Sequence, residues 1–474
     1  MIDLDAIGDE DEAPPRPPLT WLRLRPAALA LVTALLLTTG GSALPPPPTL
    51  VEIATLTYAP GAPASNYPES WLVLTEDRLV TSVIQPDGAS WLVSAYELDR
   101  GGRVWTYVHP GKPNTAMRLQ HQAGLVLVSG IRTGDTGGPT TVALDARSGR
   151  ERWSLPHEIR ALRSGDTAIA VDSIHPAGSE LPDGELPPDT SAYGSPWGQL
   201  YSEPPSGYVA SGVDLSTGEL RWRSDLLDHV TAARDGRFDA LATTGGDGAA
   251  TGLVVVTREA GVELLDLLTG AVRHRFPAPH PELHPQLDDD LLLVAHTATE
   301  MTAYSTEDHR PRWTRPMVTD GSFVFCYDTG LICEATPTGN WVVDPATGGR
   351  RWPVRPGHDL YAVAGHLVEM ISNTPARPLR TVDPRTGDIL VNLINWTGAM
   401  LGPDGPLLLT DAKGFLGPTW LGVLDPGAAA PVRLGEVTEG ISDCRIGTSV
   451  IACVTVEHEV RIWRYRTTAR PGDD

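Results

Sequence analysis

One phrase recurs along this chain, and its spacing leaves few folds open. It reads: a small or apolar residue, any residue, Asp, two residues, Ser or Thr, Gly and, in most copies, a Trp four positions after the Gly. Clear copies are ALDARSGRERW at 143–153, GVDLSTGELRW at 212–222 and VVDPATGGRRW at 342–352. Weaker copies are LLDLLTGAVRH at 264–274, AYSTEDHRPRW at 303–313, TVDPRTGDILV at 381–391 and VLDPGAAAPVR at 423–433, with a shortened first copy, YELDRGGRVW, at 96–105. The anchor positions Asp99, Asp145, Asp214, Asp266, Ser305, Asp344, Asp383 and Asp425 are separated by 46, 69, 52, 39, 39, 39 and 42 residues. A period of this size fits a four-stranded blade, a unit that buries its faces only by stacking on copies of itself.

The phrase has a local physical meaning. A strand ends at the Asp, whose carboxylate accepts N–H bonds of the following turn. Gly149, Gly218, Gly270, Gly348 and Gly387 supply the positive φ of that turn. Trp105, Trp153, Trp222, Trp313 and Trp352 open the outer strand and pack between blades, whereas His274, Val391 and Arg433 stand at the same position in three other copies. Upstream of most anchors lie two short apolar or alternating runs split by a turn, such as LLLVAHTATEMTAY at 291–304, which read as inner strands. With 48 Gly and 43 Pro residues, the composition suits many short strands and turns, so the expected class is all-β.

On these residues the chain resembles the pyrroloquinoline-quinone-like repeat family, whose blades carry an A-x-D-x-x-T-G-x-x-x-W docking motif. The resemblance covers roughly residues 67–466. It implies a β-propeller of about eight four-stranded blades, with seven and nine as the alternatives; nine follows if the terminal run CRIGTSVIACVTVEHEVRIWRY at 444–465 counts separately. That run supplies three inner strands and no outer one. An early strand at 50–58, in the segment 45–66, is expected to complete the blade and remove the exposed sheet edges.

Residues 26–44 form an uncharged apolar stretch long enough to cross a hydrocarbon layer of about 30 Å. Arg16, Arg23 and Arg25 precede it and no Lys or Arg follows until Arg78, which by the positive-inside rule places residues 1–25 in the cytoplasm. The expected arrangement is a single-pass cell-membrane protein: an acidic, Pro-rich cytoplasmic tail (1–25), a signal anchor (26–44), a Pro-rich stalk, an extracytoplasmic propeller and a disordered tail (467–474). The alternative is a cleaved signal peptide, with Gly41, Ser42 and Ala43 at the cleavage point. The net charge of −22 argues against a nucleic-acid partner, which requires a dense basic surface.

Four cysteines fall in two pairs, Cys326 with Cys333 and Cys444 with Cys453, each flanking a turn. The even numbers of intervening residues let partners sit opposite one another in symmetric hairpins, which points to two disulfides within blades and an oxidising compartment. Four buried thiols are the alternative reading.

The resemblance also brings quinoprotein dehydrogenases into view, with pyrroloquinoline quinone and Ca²⁺ in the central channel and an Asp as base. Alcohol dehydrogenases of that family typically carry two adjacent cysteines beside the cofactor; no two cysteines are adjacent here, and no C-x-x-C-H haem site occurs. His280 and His284 lie among prolines that break any aligning helix, and Asp288, Asp289 and Asp290 point to alternate faces of an extended segment, so neither set reads as a metal site. The expectation is a non-enzyme without a cofactor that binds an extracytoplasmic protein or small ligand; the alternative is a quinoprotein-like dehydrogenase or channel sensor. The long interval between Asp145 and Asp214 holds a Pro/Gly/Ser-rich insert at 173–207, whose Tyr193, Trp197 and Tyr201 are nominated as a partner surface.

Overall fold

The structure is a computed structural model. It describes residues 48–57, 72–75, 77–84, 90–110, 113–132, 139–157, 159–161, 166–178, 193–194, 200–201, 205–230, 242–244, 250–257, 261–277, 279, 285–288, 291–316, 322–326, 331–336, 339–363, 366–371, 377–400, 406–413, 417–456 and 459–467. The tail 1–25, the apolar stretch 26–44, His280, His284 and Trp197 lie outside the described residues. Among the described residues no helix is long and apolar enough to cross a membrane.

The fold is an all-β propeller built from antiparallel four-stranded meanders. The first comprises Leu72–Leu74, Arg78–Ile84, Ser90–Glu97 and Arg103–Pro110, and the second Pro113–Gln122, Leu125–Arg132, Pro139–Asp145 and Glu151–Leu155. The third (Ile159–Ala161, Thr167–Ile174, Gly207–Asp214, Leu220–Arg223) and the fourth (Ala242–Thr244, Ala250–Thr257, Val262–Asp266, Val272–Phe276) join through Leu227–Val230 into one nine-stranded sheet. Separate four-stranded sheets then begin at Gln286, Ser322, His358 and Gly398, giving meanders five to eight. A closing sheet combines Ile441–Ile446, Val450–Thr455 and Glu459–Arg466 with Thr49–Thr57 as its outer strand, Thr49 facing Arg466 and Thr57 facing Glu459. The outer edge of the last sheet is thus covered by the first described strand.

Inner and outer strands differ in sequence because they differ in neighbours. Leu291–Ala295 is buried at every residue, since each face of that strand meets another sheet; such strands read as continuous apolar runs. The outer strand Pro311–Pro316 alternates, with Trp313 its one fully buried residue. Core clusters lie between successive sheets. Val80, Trp91 and Val93 of the first pack on Val126, Val128 and Leu144 of the second. The series returns to its start where Leu72 and Leu79 meet Val450, Ala452 and Ile462 of the closing sheet. Each sheet is therefore held by two neighbours, and the energetics are those of a ring of interfaces rather than of one central core.

Both cysteine pairs form disulfides, Cys326–Cys333 and Cys444–Cys453. Cys444 faces Cys453 in the ladder, with Cα atoms 4.0 Å apart. Cys326 departs from the symmetric arrangement. Its N–H is donated to the Leu331 carbonyl, and the ladder pairs Val324 with Cys333, so this bridge runs diagonally across a Cα separation of 5.3 Å. Even spacing puts cysteines opposite only when the turn is centred between them, and here it is centred one residue early. Replacing Cys444 and Cys453 together by Ala is expected to lower stability by about 2–3 kcal/mol, from the loop-closure entropy regained by the unfolded chain, read as a fall in the urea midpoint.

Candidate functional site

The repeated turn is an interlock between neighbouring meanders. In the second copy Asp145 Oδ1 accepts the N–H groups of Arg147 and Ser148 at 3.1 and 2.9 Å, and the Gly149 N–H is donated to the Asp145 carbonyl at 2.8 Å. Asp214, Asp266 and Asp383 accept the same two N–H groups, Asp344 accepts that of Ala346, and the Ser305 hydroxyl takes the anchor role at 3.3 and 3.4 Å. The Ser216 hydroxyl and then Arg221 hold Asp214 down to a pKa of about 2, so it stays ionised at neutral pH.

Each Trp lies directly across the ladder from the small or apolar residue that starts its phrase: Trp105 from Ala95, Trp153 from Ala143, Trp222 from Gly212, Trp313 from Ala303, Trp352 from Val342. Its indole N–H reaches the next meander and is donated to the carbonyl just after that meander's anchor. Trp105 meets Ala146 at 3.0 Å, Trp153 meets Leu215 at 2.8 Å, Trp222 meets Leu267 at 2.7 Å, Trp313 meets Pro345 at 2.8 Å and Trp352 meets Pro384 at 3.4 Å. The ring then covers the glycine of that turn. Gly218 has φ +76°, and a Cβ there would stand 2.6 Å from Trp153 Cγ, so both the backbone and the neighbour require glycine. Gly149, Gly270, Gly348 and Gly387 sit in the same way on Trp105, Trp222, Trp313 and Trp352.

The first copy corrects one assignment. Glu97, not Asp99, occupies the anchor: the Glu97 N–H is donated to the Gly102 carbonyl and the Gly101 N–H to the Glu97 carbonyl, matching Asp145 with Arg150 and Gly149. The copy is full length, with Gly101 four residues after Glu97 and Trp105 four after Gly101; Asp99, two residues past the true anchor, only imitates it. Asp99 is exposed on the turn and accepts a bond from Arg464 of the closing sheet at 2.8 Å.

The copies lacking Trp use other contacts. Ala54 takes the place against Gly101 at the closing joint. Between meanders seven and eight, Trp396 rather than the Val391 position fills the gap over Gly422, and the Arg433 guanidinium lies over the rings of Trp396 and Trp420 at 5.3 and 5.6 Å. Between meanders four and five, His274 and His309 stack as parallel rings.

The interlocks join third and outer strands, so they occupy one end of the meanders. The long insert leaves from the other end. It departs at Ile174 and returns at Gly207, which face each other, and its base is tied by the Ser206 N–H and hydroxyl on the Ile174 carbonyl at 2.6 and 2.9 Å. Within it Tyr193 pairs with Tyr201 and Gly194 with Leu200 in a two-stranded ribbon. At the same end His157 meets Asp172 at 3.0 Å, and that hydrogen bond, stronger than the opposing effect of burial, raises the imidazole pKa. Leu227 pairs with both Tyr208 and Thr257, bridging meanders three and four. In the fourth meander Val230 faces Val255, and Ala242 faces Leu253.

Two buried carboxylates were not legible as a pattern. Glu334 receives Arg350 at 2.7 and 2.9 Å, with Arg315 3.6 Å away. Glu369 receives Arg380 and His358, the latter at 2.5 Å. Each acid sits in a second strand and its partners arrive from other strands, so sequence separation conceals them. Among the described residues no group of three or more His, Cys, Asp or Glu is placed to hold a metal.

The family model described as outer membrane protein assembly factor BamB, a pyrroloquinoline-quinone-type repeat model, matches residues 205–393. That stretch belongs to the pyrroloquinoline-quinone-like repeat family. It runs from the third meander to the end of the seventh, and the repeat's Trp–Gly interlock continues upstream of it at Trp105 and Trp153. No curated protein matches the chain significantly. Similar solved structures include BamB from Moraxella catarrhalis, at 13% identity over 88% of this chain and 100% of that one, with a TM-score of 0.40. A europium-containing methanol dehydrogenase gives 12% identity over 88% and 93%, with a TM-score of 0.38. The quinohemoprotein alcohol dehydrogenase ADHIIG from Pseudomonas putida HK5 gives 10% over 89% and 77%, with a TM-score of 0.40.

Proposed function

We propose that the protein is a non-catalytic interaction scaffold: a ring of nine four-stranded blades, held outside the cytoplasmic membrane by a single span at 26–44 with the N-terminus inside. Eight blades carry the repeated turn, and the closing sheet is the ninth. The partner, another extracytoplasmic protein or a small ligand, is taken up at the end from which residues 173–207 emerge.

One observation carries this reading. The large departures from the regular repeat gather at one end of meanders three and four: the insert with its Tyr193–Tyr201 ribbon and the bridge through Leu227. Loops that break a repeat on a rigid scaffold are the usual place for recognition, because the repeat itself is committed to packing. The acids Glu334 and Glu369 are instead closed in ion pairs with Arg350 and Arg380, which suits structural roles.

The test is calorimetric titration of the full chain in detergent with pyrroloquinoline quinone, with and without Ca²⁺, followed by cross-linking from the insert. The expected result is no heat with the quinone and cross-links to a defined partner that are lost when Tyr193 and Tyr201 are both replaced by Ala. Calcium-dependent binding at micromolar or tighter affinity would overturn the scaffold reading in favour of a quinoprotein.

A further inference from the structure

At five joints of this fold an indole lies on a glycine; between meanders four and five, two imidazoles do the same task. His274 holds the Trp position, across the ladder from Leu264. His309 holds the Gly position, four residues after Ser305, and keeps the left-handed backbone with φ +62°, which a His tolerates better than a β-branched residue. The rings stack with centroids 4.3 Å apart and planes 3° from parallel. Phe276 closes edge-on against His274 at 4.7 Å and lies 5.2 Å from Tyr304, whose hydroxyl meets His296 at 2.8 Å.

The exchange changes the chemistry of the joint. An indole over a glycine has nothing that titrates near neutrality, whereas imidazole gains a proton within the range pH 5–8. Neutral rings stack; two imidazolium ions at this separation repel, and in a half-buried joint they are poorly screened. The surrounding charges act on His309 in both directions. Arg273, on the strand of His274, opposes a charge on His309, and Asp308 in the adjoining turn favours it. Arg275 is engaged by Glu263 at 2.8 Å, and Glu307 and Arg310 are the other charges of the turn. Burial, His274 and Arg273 together hold His309 below the ordinary His value.

We infer that the His274–His309 stack is an acid-sensitive joint, at which protonation loosens the contact between meanders four and five while the Trp–Gly joints stay closed. The sign follows from linkage. A group that binds its proton less readily folded than unfolded contributes stability that is complete above its ordinary pKa of about 6.5 and is lost as the pH falls through and below that value.

The test is hydrogen exchange of the full chain at pH 7.5 and 5.0, corrected for the intrinsic rates, comparing segments 262–276 and 300–316 with the reference joint of Trp352 and Gly387. In the wild type, protection at the His joint is expected to fall several-fold more than at the reference. The paired change His274→Trp with His309→Gly, which installs the standard interlock, is expected to abolish the selective fall. His309→Asn, which keeps the positive φ and removes one imidazole, is expected to abolish it too and serves if the paired variant does not fold. An equal fall at both joints in the wild type, or a selective fall that persists in His309→Asn, would overturn the inference.

Discussion

Truncating Trp153 to Ala is expected to destabilise the propeller by about 3–5 kcal/mol, the range for loss of a large aromatic from a packed site. The side chain is 8% exposed, covers Gly218 and donates to the Leu215 carbonyl, so truncation removes apolar burial, opens a gap between two sheets and strands a carbonyl. The converse change, Gly218→Ala, forces a Cβ to 2.6 Å from the ring and a left-handed backbone on Ala. The left-handed conformation alone costs about 1–2 kcal/mol, and the collision adds to it. The double variant is the informative one: without the ring the collision disappears, and the combined loss should fall clearly short of the sum. Urea unfolding of the three variants checks this. A loss below about 1 kcal/mol for Trp153→Ala would show that the interlock adds little to a ring already closed.

The second large effect is expected at Glu369. Glu369→Ala should cost about 3–5 kcal/mol, because Arg380 would be left in a buried site without its counter-charge. The double change Glu369→Ala with Arg380→Ala is expected to recover part of that loss, although each residue is replaced by the same small one. Burial pushes the Glu369 carboxyl upward, but the bonds from Arg380 and His358 outweigh it and hold it below the ordinary carboxylate range. A depressed pKa means that this stabilisation is complete above the unfolded value of about 4.3 and is lost as the pH falls through and below it. Wild type should therefore lose more stability between pH 6 and pH 3 than Glu369→Gln does, as measured by thermal unfolding across that range.

The sequence was most informative where the physics is local. An Asp that caps a turn and a Gly at positive φ are set by contacts within a dozen residues, and a Trp recurs at fixed spacing from them, so the copies at 143–153, 212–222 and 342–352 share one phrase that marks the strands on either side. The same locality explains the error at the first copy: Asp99 looks like an anchor by residue type, yet the turn is defined by Gly101 and therefore by Glu97. It explains the cysteines too, since both pairs close within one hairpin, whereas the diagonal course of Cys326–Cys333 depends on where the turn is centred.

The contacts that replace Trp and Gly at a joint had no such signal. The exchange of Trp and Gly for His274 and His309 involves residues 35 positions apart that meet only because consecutive sheets stack, and each alone reads as a failed copy of the phrase. Ala54 against Gly101 belongs to the same class, whereas Glu369 with Arg380 and His358, and Arg433 over Trp420, meet between strands of a single sheet, which the repeated phrase does not mark. By itself the amino-acid sequence determined the repeat, its turns, the all-β class and the cysteine pairing, because these rest on the preferences of short segments. Only the tertiary structure decided which meander locks onto which, which glycines carry a ring, and which acids are closed by bases. The locks depend on the packing of one repeat against the next, and the ion pairs on which strands lie side by side within a sheet; neither is fixed by the preferences of a short segment.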